Sequence, residues 1–276
     1  MNIVIAGLGI IGGSFAKSIK KYTDHHVIGI NRSPRPLQDA LACGAIDEIG
    51  TTASLAQADL LILGTFPEVA VSFVRDNAAL IPANCIVIDS SGIKSDICPE
   101  LSALSRQYGF PFVGCHPMAG KEQNGFSASE ADLFQNASCI IIPCTGTPQD
   151  VDTIARLAIK IGFGKVVYST PEEHDRMIAF TSQLPHVIAC SYVRSPVCKN
   201  HNGFSAGSYR DVSRVAHINE KLWAELFIEN SQPLTEEIDL MIQHMSQIRA
   251  AVTNGDRSAL EALLAQSRKI KEELGE

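Results

Sequence analysis

The sequence predicts an α/β fold class, an N-terminal doubly wound parallel sheet followed by an all-helical region. Three observations carry this expectation. Short apolar runs alternate with helical patterns as far as Tyr168, a glycine-rich turn joins the first run to its helix, and no buried strand run follows Ser169-Thr170-Pro171. Continuous apolar strands separated by helices belong to a parallel sheet covered on both faces.

Seven such runs lie at residues 3–6, 27–30, 60–63, 86–88, 112–115, 139–142 and 166–168. Beyond them, Pro171 with Glu172 and Glu173 reads as a helix start capped by Thr170. Residues 219–247 and 257–276 carry further helical spacing, and 196–208 reads as an irregular loop. The expected domains are 1–169, binding a dinucleotide, and 170–276, helical.

A chain of 276 residues with 45% hydrophobic content fills a core, and its net charge of −7 provides no field to gather nucleic acid or an anionic membrane. No basic leader opens the sequence and no apolar run spans a bilayer, so a cytoplasmic protein is expected. The eight cysteines lack paired CxxC spacing and several lie inside apolar runs, which predicts reduced, mostly buried thiols and no metal site.

Gly7-Leu8-Gly9-Ile10-Ile11-Gly12 follows the first strand directly and opens onto a helix. Gly7 permits the tight turn, Gly9 allows close approach of a pyrophosphate, and Gly12 allows helix to pack on strand, so the unit reads as the first βαβ of a Rossmann domain. The second strand ends in Asn31-Arg32-Ser33, with Arg35 nearby, where a carboxylate would usually take the adenosine ribose. Guanidinium and hydroxyl donors suit a 2′-phosphate and favour NADP, while Asn31 could bond a ribose hydroxyl and keep NAD possible.

The strand at 112–115 runs into His116-Pro117-Met118-Ala119-Gly120, placing His116 at a carboxyl strand end, where open α/β sheets bind ligands. By position it is either a general base or a packing histidine. Asp211 and Arg214, three apart, are either a surface ion pair or an arginine oriented to hold a carboxylate.

Several motifs together resemble the prephenate dehydrogenase family, which includes arogenate and cyclohexadienyl dehydrogenases. They are GLGIIGGS at the start, Asp89-Ser-Ser-Gly-Ile-Lys94, His116-Pro-Met-Ala-Gly-Lys-Glu122, Glu173-His-Asp175, Leu184-Pro-His186, and Tyr209 to Arg214 followed by Leu222-Trp223. The resemblance implies an NAD(P)-dependent oxidoreductase of tyrosine biosynthesis that acts on a small molecule, prephenate or arogenate, and forms a homodimer through its helical domain. It implies His116 as base and Arg214 as holder of the ring carboxylate. His186 becomes a substrate-pocket residue, Asp211 an orienting group, Gly207 part of the approach loop, Trp223 a closing residue and Lys94 a neighbour of the nicotinamide. Many relatives carry a catalytic serine where this sequence has Gly92, which leaves Ser91 as candidate for the hydroxyl. The rival readings are another two-domain Rossmann enzyme, of the 3-hydroxyacid or imine-reducing type, and a non-catalytic NAD(P)H sensor.

Overall fold

A computed structural model describes residues 1–121 and 123–275; Glu122 of the HPMAGKE segment and Glu276 lie outside the described residues. The chain clusters into two compact units, Met1–Met177 with His217–Glu229, and Ile178–Ala216 with Asn230–Glu276. The strands stop at the expected place, before Ser169, but the first unit runs on through the start of the next helix and regains a later helical segment.

The first unit is built on an eight-stranded sheet in the order β3-β2-β1-β4-β5-β6-β7-β8. The strands are β1 (Asn2–Ala6), β2 (His26–Ile30), β3 (Glu48–Ile49), β4 (Leu60–Leu63), β5 (Ile86–Asp89), β6 (Phe112–Pro117), β7 (Ser138–Ile142) and β8 (Lys165–Tyr168). Helices α1 (Ile10–Tyr22), α2 (Pro34–Ala42), α3 (Pro67–Asn77), α4 (Ile97–Tyr108) and α5 (Pro148–Lys160) connect them. Side chains alternate between two cores along each strand, as the period of two requires. Ile3 and Ile5 face Phe15, Ile19 and Phe134, whereas Val4 and Ala6 face Val71, Val74 and Leu101. Caps set the ends of helices: Thr147 and Asp150 form a reciprocal box at α5, and Gly109 at φ +87° terminates α4.

Two strands depart from the sequence expectation. The two-residue β3 is too short to leave a periodic signal. β7 runs antiparallel to β6, pairing His116 with Ile140, while all the other strand pairs are parallel. The reason lies in the connection, because among the described residues of 118–137 there is a 3₁₀ turn at Phe126–Ala128 but no crossover helix to carry the chain back for parallel pairing.

After β8 the chain is helical: α6 (Pro171–Ile178), α7 (Leu184–Tyr192), α8 (Gly207–Ser213), α9 (Glu220–Glu229), α10 (Ser231–Thr253) and α11 (Arg257–Leu274). Thr170 caps α6 as expected, its hydroxyl accepting from the Glu173 amide at 3.2 Å. Between α6 and α7 the helix widens into a π turn at Ala179–Gln183, next to Pro185, which has no N–H for a normal ladder. The single helix expected over 219–247 is instead α9 and α10, broken at buried Asn230. Its backbone leaves helical geometry (φ −107°, ψ 32°) and its amide donates to Gln183 Oε1 at 2.7 Å. Among the described residues no helix is long and apolar enough to cross a membrane.

Candidate active site

At the nucleotide end, glycine stands where a larger residue would collide. Gly7 has φ +97°, and a Cβ there would lie 2.4 Å from Thr65 Cγ2. A Cβ on Gly12 would lie 1.9 Å from Gly7 O, so only glycine lets α1 pack against the turn. Gly9 differs, since nothing lies within 4 Å of its Cβ position and its backbone faces open space at the N-terminus of α1. That is room for a pyrophosphate at the positive end of a helix, and the loop fits a dinucleotide.

Leu8 serves the loop through its backbone, for its side chain is 1% exposed and packs in the core with Ile5, while Ile10 and Ile11 are half-buried. The Leu8 amide donates to Asn31 Oδ1 at 3.0 Å, and Asn31 Nδ2 donates to Ser33 O at 3.0 Å. Asn31 therefore clamps the glycine loop to the end of β2. Arg32 and Ser33 are exposed there, and Arg35 leans towards Asp39 at 3.8 Å.

His116 stands where β6 outruns β5. Phe112 and Val113 pair with β5, whereas Gly114 to Pro117 pair only with β7, so the imidazole sits just past the carboxyl end of the parallel ladder. Its Nδ1 lies 2.8 Å from His174 Nε2, and His174 Nδ1 lies 2.6 Å from Asp175 Oδ1. Asp175 also accepts the Lys94 amide at 2.9 Å and the Ser95 amide at 2.7 Å. Burial would raise the Asp175 carboxyl, but the His174, Ser95 and Lys94 hydrogen bonds hold it below the usual range. Desolvation first, and then the proximity of His174 and Lys94, pushes His116 well below an ordinary histidine.

A second buried network lies behind β6. Asp89 is fully buried and accepts from the Ser91 amide at 2.9 Å, the Cys115 amide at 3.0 Å and Lys94 Nζ at 2.6 Å. Lys94 Nζ donates also to Cys115 O. The place expected for Lys94 beside the nicotinamide is corrected here: the side chain is 0% exposed and its ammonium is spent on Asp89 and on the backbone one residue before His116.

The serine question sharpens as well. Ser90 Oγ donates to Leu63 O at 2.9 Å, while Ser91 Oγ is buried with no hydrogen-bond partner. A Cβ at Gly92 would lie 3.9 Å from His116 Nε2 and 3.6 Å from Leu226 Cδ2. A side chain at position 92 would therefore lie against the histidine. Leu226 and Trp223 ride on α9, which clusters with the first unit, and Trp223 meets Phe227 edge-on at 5.5 Å.

His186, Gly207, Asp211 and Arg214 belong to the second unit. His186 lies on α7, and its Nδ1 donates to Ser182 O at 2.8 Å. Gly207 opens α8, and Asp211 and Arg214 are exposed near its end. Among the described residues no ion pair is found between those two.

Residues 15–168 match the family described as prephenate dehydrogenase, nucleotide-binding domain, and residues 170–266 match its dimerization domain. The chain belongs to the prephenate dehydrogenase family. It is an oxidoreductase with a dinucleotide-binding domain. Cyclohexadienyl dehydrogenase of Zymomonas mobilis is 32% identical over 98% of this chain and 94% of its own length. The solved arogenate dehydrogenase of Synechocystis superposes with a TM-score of 0.85 at 25% identity, covering 99% of this chain and 100% of that one. Prephenate dehydrogenase of A. aeolicus, solved with hydroxyphenyl propionate and NAD+, shares the fold with a TM-score of 0.86 at 23% identity, covering 99% and 98%.

Two residues of this network have no role legible in the sequence. His174 and Asp175 were visible as part of the Glu173-His-Asp175 motif, but nothing local shows that they reach His116, 58 positions away.

Proposed function

We propose that the chain oxidises prephenate to 4-hydroxyphenylpyruvate, with NADP preferred and NAD usable. The observation that carries this reading is His116, desolvated at a strand end with Nδ1 engaged and Nε2 beside the gap at Gly92. Neutral His116 accepts the proton of the C4 hydroxyl as hydride leaves C4. Loss of the ring carboxylate as CO₂ then restores aromaticity, and a proton returns to the ring oxygen. The nicotinamide, when bound, is the hydride acceptor. General base catalysis of this kind contributes about 10²- to 10⁴-fold.

Arg214 suits the ring carboxylate, because a guanidinium binds it bidentately and does not protonate it as it departs. His186 lines the substrate pocket, Asp211 orients it, Gly207 lies in the approach loop and Trp223 helps to close the site. Gly7, Leu8, Gly9, Ile10, Ile11 and Gly12 hold the pyrophosphate, and exposed Arg32 and Ser33 offer donors to a 2′-phosphate. Ser91 is the candidate for the hydroxyl that Gly92 lacks, its own hydrogen bond unmade. Ile242, Met245 and Val252 of α10, 56%, 62% and 61% exposed, support a homodimer through the helical domain. The expected setting is the cytoplasm.

The test follows the ultraviolet absorbance of reduced nicotinamide with prephenate and with arogenate, each with NADP and NAD. Turnover of prephenate with a lower KM for NADP is expected; arogenate turnover alone, or a strong preference for NAD, would overturn the corresponding half. His116→Asn should lower kcat by about 10²-fold or more with little change in KM. A near-normal kcat would remove His116 from the base role.

A further inference from the structure

We propose that His174 and Asp175 are positioning residues that fix the tautomer of His116, keeping its proton on Nδ1 and leaving Nε2 bare for the substrate. The inference rests on His116 being the base, and it explains how an imidazole in this setting presents the useful nitrogen.

The anionic end of this chain of contacts fixes the protons along it. An ionised carboxylate only accepts hydrogen bonds, and Asp175 accepts two from the backbone amides of Lys94 and Ser95. The ring nitrogen 2.6 Å from its Oδ1 must therefore carry a proton, which places that proton on His174 Nδ1. A neutral imidazole protonated there has a bare Nε2, which accepts. His116 Nδ1, 2.8 Å from it, must then donate. His116 is left with its lone pair on Nε2, the nitrogen 3.9 Å from a Cβ built at Gly92. The opposite tautomer would put a proton on Nε2 and abolish the base.

The chain is held rigidly at each link. His174 and Asp175 are each 1% exposed on α6, whose first turn is fastened by the His174 amide to Thr170 O at 2.9 Å. Asp175 is gripped by backbone amides rather than mobile side chains. When His116 takes the hydroxyl proton on Nε2, its Nδ1–H keeps its acceptor, and the Asp175 charge lies one ring away to favour the imidazolium. An oriented carboxylate behind a histidine is a known device for setting tautomer; here a second histidine transmits it.

The experiment is a ring ¹⁵N spectrum of the histidine-labelled enzyme, with the His116 signals assigned by their loss in His116→Asn, together with kinetics of His174→Ala and His174→Gln. The expected spectrum shows His116 protonated on Nδ1 and bare on Nε2. His174→Ala should lower kcat about 10²-fold with KM within about threefold, because the wrong tautomer removes the base and not the binding. His174→Gln, whose Oε1 can accept the Nδ1–H, should regain about tenfold or more of that loss. A wild-type spectrum with the proton on Nε2 overturns the proposal whether or not the variants fold. So does an alanine variant with normal kcat, or equal losses in alanine and glutamine. If instead His116→Asn keeps normal kcat, the base assignment fails while the spectrum still reports the tautomer, so the two failures are told apart.

Discussion

Replacing Lys94 by methionine tests whether this lysine holds the site together or touches the cofactor. The side chain is 0% exposed, so no part of the ammonium is screened by water, and methionine keeps the volume of the stem. The substitution leaves Asp89, itself fully buried, with two backbone N–H donors at 2.9 and 3.0 Å and no counter-charge, and it strips Cys115 O of a donor. Removing one partner of a buried pair costs about 3–5 kcal/mol, roughly 10²- to 10³-fold or more in the folding equilibrium. Urea denaturation followed by circular dichroism, at one fixed protein concentration, should show that loss. The double variant Asp89→Asn/Lys94→Met should recover part of it, because no unpaired charge is then buried. A KM for NADP within about threefold of wild type is expected for the folded fraction. If Lys94→Met lies within about 1 kcal/mol of wild type and KM for the dinucleotide rises sharply, the buried-pair reasoning fails and the lysine is a cofactor ligand after all.

Three further outcomes follow from named geometry. Arg214→Ala should mainly raise KM for prephenate, by roughly 10²-fold if a bidentate carboxylate contact is lost, and an unchanged KM would show the arginine to be structural. Gly92→Ser should fold normally, since its Cβ meets only ordinary contacts at 3.6 and 3.9 Å and its backbone is not left-handed; the hydroxyl should then reach His116 Nε2. Its kcat should stay within about threefold of wild type or rise, and a loss beyond about tenfold would mean that the space beside Nε2 is needed empty. Glu229 has its carboxyl pushed from 4.5 up to about 7, by desolvation first and then by Glu225, Asp96, Glu68 and Asp175. The folded state thus binds more protons than the unfolded between those values, so this group's stabilisation is complete below 4.5 and is lost as pH rises towards 7. Melting temperatures across that window should fall less steeply for Glu229→Gln than for wild type, and parallel curves would refute the assignment.

What the sequence determined by itself was whatever is written in short spans of chain. Gly7 to Gly12 announce a turn and a helix entry because the backbone there tolerates no side chain at Gly7 and Gly12. The apolar runs announce strands buried on both faces, and His116-Pro117 announces an imidazole on an extended strand end. The capping of α6 by Thr170 was equally local. The tertiary structure decided what depends on residues distant in sequence. Whether β7 runs parallel or antiparallel follows from the path of 118–137 and not from the apolar content of the strand. Asn230 breaks a pattern that reads as one helix because a buried glutamine 47 positions earlier takes its amide. Lys94 reads as a solvent-facing or cofactor-facing cation until Asp89 and Cys115 O enclose it, and the histidine behind His116 is legible as a motif but not as a relay. Periodicity and turn chemistry act through neighbours a few residues apart, whereas desolvation, ion pairing and tautomer choice are set by whichever groups the completed fold brings within about 3 Å of one another.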